Sequence, residues 1–315
     1  MIHGDGDIYL IYFENELDRF CYVIIQKDIA ECVFFRNTID MNKYWDWETP
    51  YGYGGPLSDG VITEKSQKKF LDELTDYCKK NNVISQFIRF HPLLKNYELL
   101  SNVIETRYLR DTIYIDTSSL ELILTNMDSK NRNMVRKAKK NGIEIIKTGI
   151  EDFENFIPMY NETMKKNNAN SYYFFSEKYF ESLLRMRQNA IIFYALYNGE
   201  IISGAIMYYN DRYMHYHLSG SYIKYRELAP NNLLLYEAAR WASLKGIKQF
   251  HLGGGIEAND SLFGFKKQFN KNGKLAFVVG RTIFNYDLYD DLLKVRKISD
   301  PEFDIANKFM IQYRR

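Results

Sequence analysis

The sequence predicts an α/β (α+β) fold of two tandem, related domains, each a mixed, mostly antiparallel sheet flanked by helices, with a cleft between them. Three observations lead there. Short runs rich in β-branched and aromatic residues alternate with turn signals through the first third of the chain. Three further runs follow one another closely in the second half, bracketed by helical stretches. The two halves share a coarse order of elements, and no Gly/Ser/Pro-rich linker separates them, so the domains should be tightly joined.

The first domain is expected over 1–118. Within it IYLIYF (8–13), RFCYVII (19–25) and ECVFF (31–35) read as strands. The Gly- and Pro-dense WDWETPYGYGGPLSDG (45–60) reads as a loop. An amphipathic helix near 64–80 leads to the strand VISQFIRF (83–90), a second helix, and the strand RDTIYID (110–116).

The second domain, 119–285, opens with a charged helix, SKNRNMVRKAKKNG (129–142), closed by Gly142 as a helix-terminating glycine. A strand IEIIK (143–147) and helices near 151–168 and 177–188 come next. IIFYALY (191–197), EIISGAIMYY (200–209) and YMHYHLSG (213–220) form an antiparallel meander. The helix APNNLLLYEAARWASLKG (229–246), the strand IKQFHL (247–252), a helix near 260–269 and the strand LAFVVG (275–280) complete it. The segment 286–315 reads as helices that pack back.

The 315 residues suffice for two ordinary domains, and 46% hydrophobic with 26% charged residues is the mix of a folded chain. Tyr and Phe are abundant, at 26 and 21, which suits a large core or an amphipathic cleft. A net charge of +2 gives no reason to expect DNA or a membrane surface as a partner, so any anion site must be a local cluster. The odd set Cys21, Cys32 and Cys78 lacks metal-ligand spacing and reads as free thiols in a reducing compartment. No apolar run approaches the roughly 18 residues of a membrane span, and the N-terminus lacks a basic-then-apolar signal. A cytoplasmic location follows, with the inner face of the membrane as an option. His3, His91, His215, His217 and His251 include no H-E-x-x-H pattern, so no metal is expected.

Four stretches could carry chemistry. In HLGGGIEAND the glycines lack the G-x-G-x-x-G order of a dinucleotide turn and follow an antiparallel meander. They read as a strand-end bulge, with Gly253, Gly254 and Gly255 leaving bare backbone for a substrate. Pro230 suits a first helical turn, where Asn231 or Asn232 can satisfy open amides and the helix start could hold an anion. The helix near 130–140 carries Lys130, Arg132, Arg136, Lys137, Lys139 and Lys140; Arg132 and Arg136 share a face. It is either a solvated face or an attractor for the phosphates of a tRNA end or nucleotide-linked acceptor. His215 and His217, two apart on a strand, share a face and could line a cleft.

Together these motifs resemble the Fem peptidyltransferases of the GNAT acyltransferase superfamily. The resemblance rests on the pair Gly220-Ser221, on Ala229-Pro230 before a helix, on the glycine-rich strand end, and on Asp260-Ser261-Leu262 followed by Phe265-Lys266. The Gly-Pro loop around Tyr53 and the basic helix fit as well, so that nearly the whole chain is covered. The resemblance implies two GNAT-like domains with the site between them, and a C-terminal segment returning to the first. It implies transfer of an amino acid from aminoacyl-tRNA to an amino group of a peptidoglycan precursor, with no tightly bound cofactor.

Lys266 takes the motif's lysine position, where a fixed ammonium can stabilise the oxygen of an ester or thioester under attack by an amine. Neighbouring helical residues point about 100° apart, so at most one of Lys266 and Lys267 faces a cleft; the alternative is that both solvate the helix. Tyr53, His217, Ser219, Ser221, Asn231, Asn232, Gly254, Gly255, Asp260 and Phe265 are expected around the substrates, with Arg132 and Arg136. The chain departs from the pattern at His91, where Fem enzymes carry an acidic residue. That imidazole either accepts the amine's proton, at an ordinary pKa of about 6.5, or structures the turn before Pro92. Phe175 stands where relatives place an arginine for a diphosphate, and RELAPNN (226–232) lacks the usual coenzyme A loop. Two alternatives stand beside Fem-type transfer: acyl-CoA-dependent N-acetylation of an amino sugar or amino acid, and a non-catalytic binding module. The sequence leaves the oligomeric state open.

Overall fold

The computed structural model describes residues 6–16, 18–32, 34–35 and 44–314; His3 lies outside them. The chain begins with β1 (Asp7–Glu14), β2 (Asp18–Asp28), β3 (Trp45–Glu48), β4 (Leu57–Gly60), α1 (Glu64–Lys80), β5 (Val83–Arg89) and β6 (Glu105–Asp116). It continues with α2 (Leu120–Asn126), α3 (Ser129–Lys140), β7 (Glu144–Gly149), α4 (Ile157–Lys166), α5 (Glu177–Leu183), β8 (Ala190–Tyr197), β9 (Glu200–Tyr209) and β10 (Tyr213–Ser221). It closes with α6 (Pro230–Leu244), β11 (Gln249–Gly253), α7 (Ser261–Lys267), β12 (Lys274–Ile283) and α8 (Tyr286–Ser299). Among the described residues no helix is long and apolar enough to cross a membrane.

Contacts divide the chain into two compact units. One takes the residues up to Leu109 together with those from Ala276 onward; the other runs from Arg110 to Leu275. In the first, the strands lie in the order β1-β2-β3-β5-β12, with β4 also on β2. Among the described residues of this unit β3 and β5 pair in parallel, and the β1–β2, β2–β3, β2–β4 and β5–β12 pairs are antiparallel. Helix α1 forms because Thr63 and Ser66 close a capping box and Phe70, Leu74 and Cys78 recur four apart on one buried face. Phe70 stacks on Phe20 at 4.9 Å, and Phe13, Tyr22 and Trp47 join them in the core. Much of the aromatic surplus therefore goes into packing. Helix α8 buries Tyr289 and Leu292 against Ile29, Phe35 and Ile84.

Three sequence expectations need correction in this unit. Among the described residues of 31–35 the backbone is turn rather than strand: Cys32 N–H donates to Ile29 O and Phe35 N–H to Cys32 O. Phe35 is buried all the same, edge-on to Tyr313 at 5.8 Å. The stretch 45–60 is not all loop, since it supplies β3 and β4. An aspartate inside β3 hides the strand, because its partners lie far along the chain. Asp46, 1% exposed, accepts from Ser85 Oγ at 2.8 Å, Tyr313 OH at 2.6 Å and Arg314 Nε at 2.6 Å. Between β5 and β6 the expected helix is a single 3-10 turn, Asn96–Leu99.

In the second unit the order is β6-β11-β10-β9-β8-β7, with β10–β11 the parallel pair. The meander forms as the sequence predicts. One face packs on α3 and α6, burying Ile113, Ile115, Ala205, Met207, Met214, Leu234 and Phe250. On the other face α4 lies against β10 and β9, and α5 adds Tyr179 and Phe180. The charged helix α3 ends at Lys140, and Gly142 follows at φ +77.

Replacing Asp46 with alanine should leave the half-buried Arg314 and the Ser85 and Tyr313 hydroxyls without their shared acceptor and cost about 3–5 kcal/mol. Asp46→Asn, which still accepts from Ser85 and Tyr313, should cost less. Urea unfolding midpoints measure the ranking, and equal midpoints for the two variants would contradict it.

Candidate active site

Strands β10 and β11 pair only over Tyr213–His215 against Gln249–His251, and both run on beyond that point. The strands therefore fork after His215 and His251. On the β10 side a register shift against β9 falls between Tyr216 and Leu218, and on the β11 side one against β6 falls between His251 and Gly253. Gly253 sits at φ +75, where a side chain would strain the backbone. A Cβ on Gly254 would lie 2.9 Å from the carbonyl oxygen of Asp111. The glycines are thus a strand-end bulge, and α7 begins only at Ser261.

Asp260 fastens the turn between them. Its Oδ1 accepts the Phe263 amide at 2.7 Å, capping α7, while Oδ2 accepts the amides of Ile256 at 2.7 Å and Glu257 at 3.1 Å. Partial burial pushes this carboxyl up, but the three amides and the Lys266 charge outweigh that and hold it below the usual range. From β6, Arg110 donates to Gly255 O at 2.9 Å and to Ile256 O. The carbonyls of this loop are held in place from two sides.

Lys266 is the residue this loop receives. It is 7% exposed, whereas Lys267 faces solvent, as the angular offset between helical neighbours requires. Its Nζ donates to Gly254 O at 2.7 Å and lies 5.7 Å above the ring of Tyr216. Burial lowers the ammonium to about 8, with the nearby Asp260 carboxylate resisting the drop. Burial also pushes the Tyr216 hydroxyl up to about 12, opposed by a hydrogen bond with Ser219, so it stays neutral. Phe265 packs half-buried on Phe269 at 5.3 Å.

The opposite face of the fork carries imidazoles. His215 and His251 bring their Nδ1 atoms to 3.2 Å, and His251 Nε2 lies 2.9 Å from Thr112 Oγ1. His217 is hydrogen-bonded through Nε2 to the Tyr179 hydroxyl and stacks on Tyr208 at 4.1 Å. Burial pushes His217 down to about 3, so it is neutral near pH 7. The sequence pointed to His215 and His217 but not to His251, Thr112 or Arg110. The parallel register that sets His251 beside His215 is a signal no single-strand pattern contains.

The remaining candidates fall elsewhere. Helix α6 has Ala229 at its N-cap, φ 58, and no side-chain cap, so neither asparagine satisfies the open amides as expected. Asn231 instead accepts from Ser203 Oγ and donates to Ser221 Oγ at 3.4 Å, and Asn232 donates to Asn131 Oδ1 at 2.7 Å. Arg132 turns back to the Leu124 and Met127 carbonyls at the end of α2, whereas Arg136 is exposed and donates to Asn133. Phe175 is buried between Tyr160 and Tyr179. In the first unit, Tyr53 lies 5.6 Å from His91, ring to ring. His91 is the turn residue before Pro92, its amide donating to Asn96 Oδ1 at 2.8 Å. Its imidazole does not keep an ordinary pKa: burial pushes it down to about 4, too low for a strong base near neutrality.

Residues 127–267 match the family model of the acetyltransferase (GNAT) domain. No curated protein matches the chain. Among solved structures the chain is similar to FemX, at 14% identity and TM-score 0.63, covering 91% of this chain and 90% of that one. It is similar to the C-terminal domain named after a lysylphosphatidylglycerol synthetase of Agrobacterium fabrum, at 10% identity and TM-score 0.58, covering 93% and 89%. A tandem GNAT protein from the clavulanic acid pathway aligns at 9% identity and TM-score 0.51, covering 90% and 85%. At these identities the structures speak for the fold. Residues 127–267 thus carry the match to an acetyltransferase (GNAT) domain, and the chain as a whole has a FemX-like fold.

Proposed function

We propose that the protein transfers an aminoacyl group from aminoacyl-tRNA to an amino group of a cell-envelope precursor. The observation that carries the proposal is the buried Lys266 ammonium, held at the strand end of a GNAT domain by Gly254 O. An ammonium has three N–H groups and the carbonyl takes one. As the amine nitrogen bonds to the ester carbon, the carbonyl π pair moves onto oxygen, and the fixed cation stabilises it in a site of low polarity. Collapse restores the carbonyl and breaks the bond to the ribose oxygen, which takes up a proton. Much of the remaining rate comes from alignment of the two reactants.

Two further features favour this donor and acceptor. FemX and the lysylphosphatidylglycerol synthetase domain share the fold over nine-tenths of this chain, and the second is named for an aminoacylated envelope lipid. On α3, Lys130, Arg136, Lys137 and Lys140 keep exposed side chains suited to tRNA phosphates, while Lys139 is paired with Glu237 at 2.8 Å. A second reading, N-acetylation from acyl-CoA, draws support from the family model, which is that of an acetyltransferase.

Transfer of radiolabel to amine acceptors from charged tRNA, set beside acetyl-CoA, separates the two. Charged tRNA should be the productive donor, and acetyl-CoA turnover without it would reverse the assignment. Lys266→Met should lower kcat about 10²–10³-fold in the same assay. A kcat close to wild type would remove the lysine from the mechanism.

The ammonium is the useful form, so kcat should fall as pH rises through about 8. The stability linkage runs the other way. The unfolded lysine holds its proton to about 10.4, so over the interval above about 8 the unfolded state binds more protons and stability rises with pH. Opposite slopes for rate and unfolding free energy across that interval are the expected signature.

A further inference from the structure

The sheet of the first unit ends in a strand of a kind that sheet edges rarely keep bare. β1 closes the order β1-β2-β3-β5-β12, and among the described residues it pairs with β2 alone. The register runs unbroken from Asp7↔Gln26 to Glu14↔Arg19, without a bulge. Between Asp7 and Glu14 the strand carries no charge, proline or glycine, the devices by which edges ordinarily keep other chains away. At the end of the second unit's sheet, by contrast, β7 holds Lys147 within it.

Its side chains are as open as its backbone. Ile8 is 53% exposed, Tyr9 44%, Leu10 65% and Tyr12 56%. Period two puts Ile8, Leu10 and Tyr12 on one face and Tyr9, Ile11 and Phe13 on the other. Phe13 turns into the core beside Phe70, 5.5 Å ring to ring, so the second face is the one that α1 covers. On the first face Val23, opposite Leu10 on β2, and Leu57 on β4 are exposed as well. Adjoining exposed apolar side chains of this size mark a contact surface.

The backbone decides which residues can receive a further strand. Asn15 N–H donates to Asp18 O at 3.0 Å, so those two form a hydrogen-bonded pair. Bonded and open pairs alternate along an antiparallel ladder, which makes Phe13–Phe20, Ile11–Tyr22 and Tyr9–Ile24 the bonded ones. Ile8, Leu10, Tyr12 and Glu14 therefore point their N–H and C=O groups outward. A second copy approaching antiparallel must match outward residues with outward residues. That requirement excludes the register in which Asp7 would face Glu14 of the other copy.

The run Ile8-Tyr9-Leu10-Ile11-Tyr12 then selects among the allowed registers. With Leu10 on the two-fold axis, Leu10 meets Leu10, Ile8 meets Tyr12 and Tyr9 meets Ile11 of the other copy. Every off-axis pair within the run is aromatic against β-branched, a favoured cross-strand combination. Asp7 falls opposite Phe13 and Glu14 opposite Gly6, so no like charges face each other directly. Moving the axis to Ile11 breaks up all the tyrosine–isoleucine pairs. We infer that β1 is a dimerisation edge, joining two copies of this chain antiparallel about Leu10 into one continuous sheet.

The area suits a reversible dimer. At roughly 200 Å² for a large side chain, the exposed parts of Ile8, Tyr9, Leu10 and Tyr12 from two copies come to about 900 Å². The paired backbones bring the total to the roughly 1,000 Å² that a specific interface needs. A two-fold axis uses up both edges at once, so association stops at two copies and does not build fibres. The contact is independent of the acyl-transfer reading, since β1 and Lys266 belong to different units.

Sedimentation of the full chain over a range of concentrations tests the proposal. Wild type should pass from monomer to dimer through the roughly micromolar range expected of this area. Leu10→Lys sets two ammonium groups face to face on the axis and should leave monomer throughout, whereas Leu10→Met should keep the dimer. Ile8→Lys and Tyr12→Glu should each weaken association about tenfold. Combined in one chain they oppose unlike charges in both symmetry-related pairs and should recover part of the loss. That recovery reads the register even where Leu10→Lys lowers stability. A wild type still monomeric at about 100 µM, species growing beyond two copies, or a dimer indifferent to Leu10→Lys overturns the inference. So does a double variant that associates more weakly than either single one.

Discussion

A primary ammonium sealed behind the end of a strand constrains the second unit more than any other single contact. Taking Lys266 out of water is unfavourable unless a strong acceptor is fixed in front of it, and Gly254 O is that acceptor. The carbonyl faces Nζ only because the chain leaves β11 through a left-handed glycine and comes close to the backbone of β6. Asp260 and Arg110 then hold the turn so that the carbonyl cannot swing away. The acidic cap, the bare strand end and the lysine are therefore one device, and their nearness in sequence follows from it.

A site of this kind needs rigid walls on both faces. On the α6 side the walls are aliphatic and close-packed, as expected for a helix laid on a sheet. The other side is built from phenols and imidazoles, with Tyr179, Tyr208 and His217 in contact and the His215–His251 pair beyond them. Rings with a polar tip fill space as hydrophobes do while offering protons along a defined line. The abundance of tyrosine, which composition alone assigns to no particular place, thus divides between the packed first unit and this polar face.

What could be read in the sequence was what neighbours in sequence decide. The meander and the helix α3 with Gly142 behind it follow from period and turn residues, and the angular offset lets only one of Lys266 and Lys267 face inward, the family motif pointing to Lys266. The nearness of Lys266 to the glycine-rich strand end was legible too, from the motif that holds both. Pairings across the chain were not legible. Arg110 reaches the glycine loop from a strand nearly half the chain away, and the hydrogen-bond partners of Asn231 and Asn232 lie on other elements. Strand β3 was missed because the burial of Asp46 depends on Tyr313 and Arg314, more than 260 positions later. His91 was given an ordinary acidity because desolvation depends on three-dimensional surroundings that composition does not encode.

The aspartate of β3 has a bearing on how the molecule is made. One unit is contiguous, while the other must recruit a strand, a helix and two anchoring side chains translated after its neighbour is complete. As the polypeptide emerges from the ribosome, the contiguous unit therefore has all its parts first. Its partner waits with an unneutralised carboxylate in an unfinished sheet. Birth order and positional order are inverted.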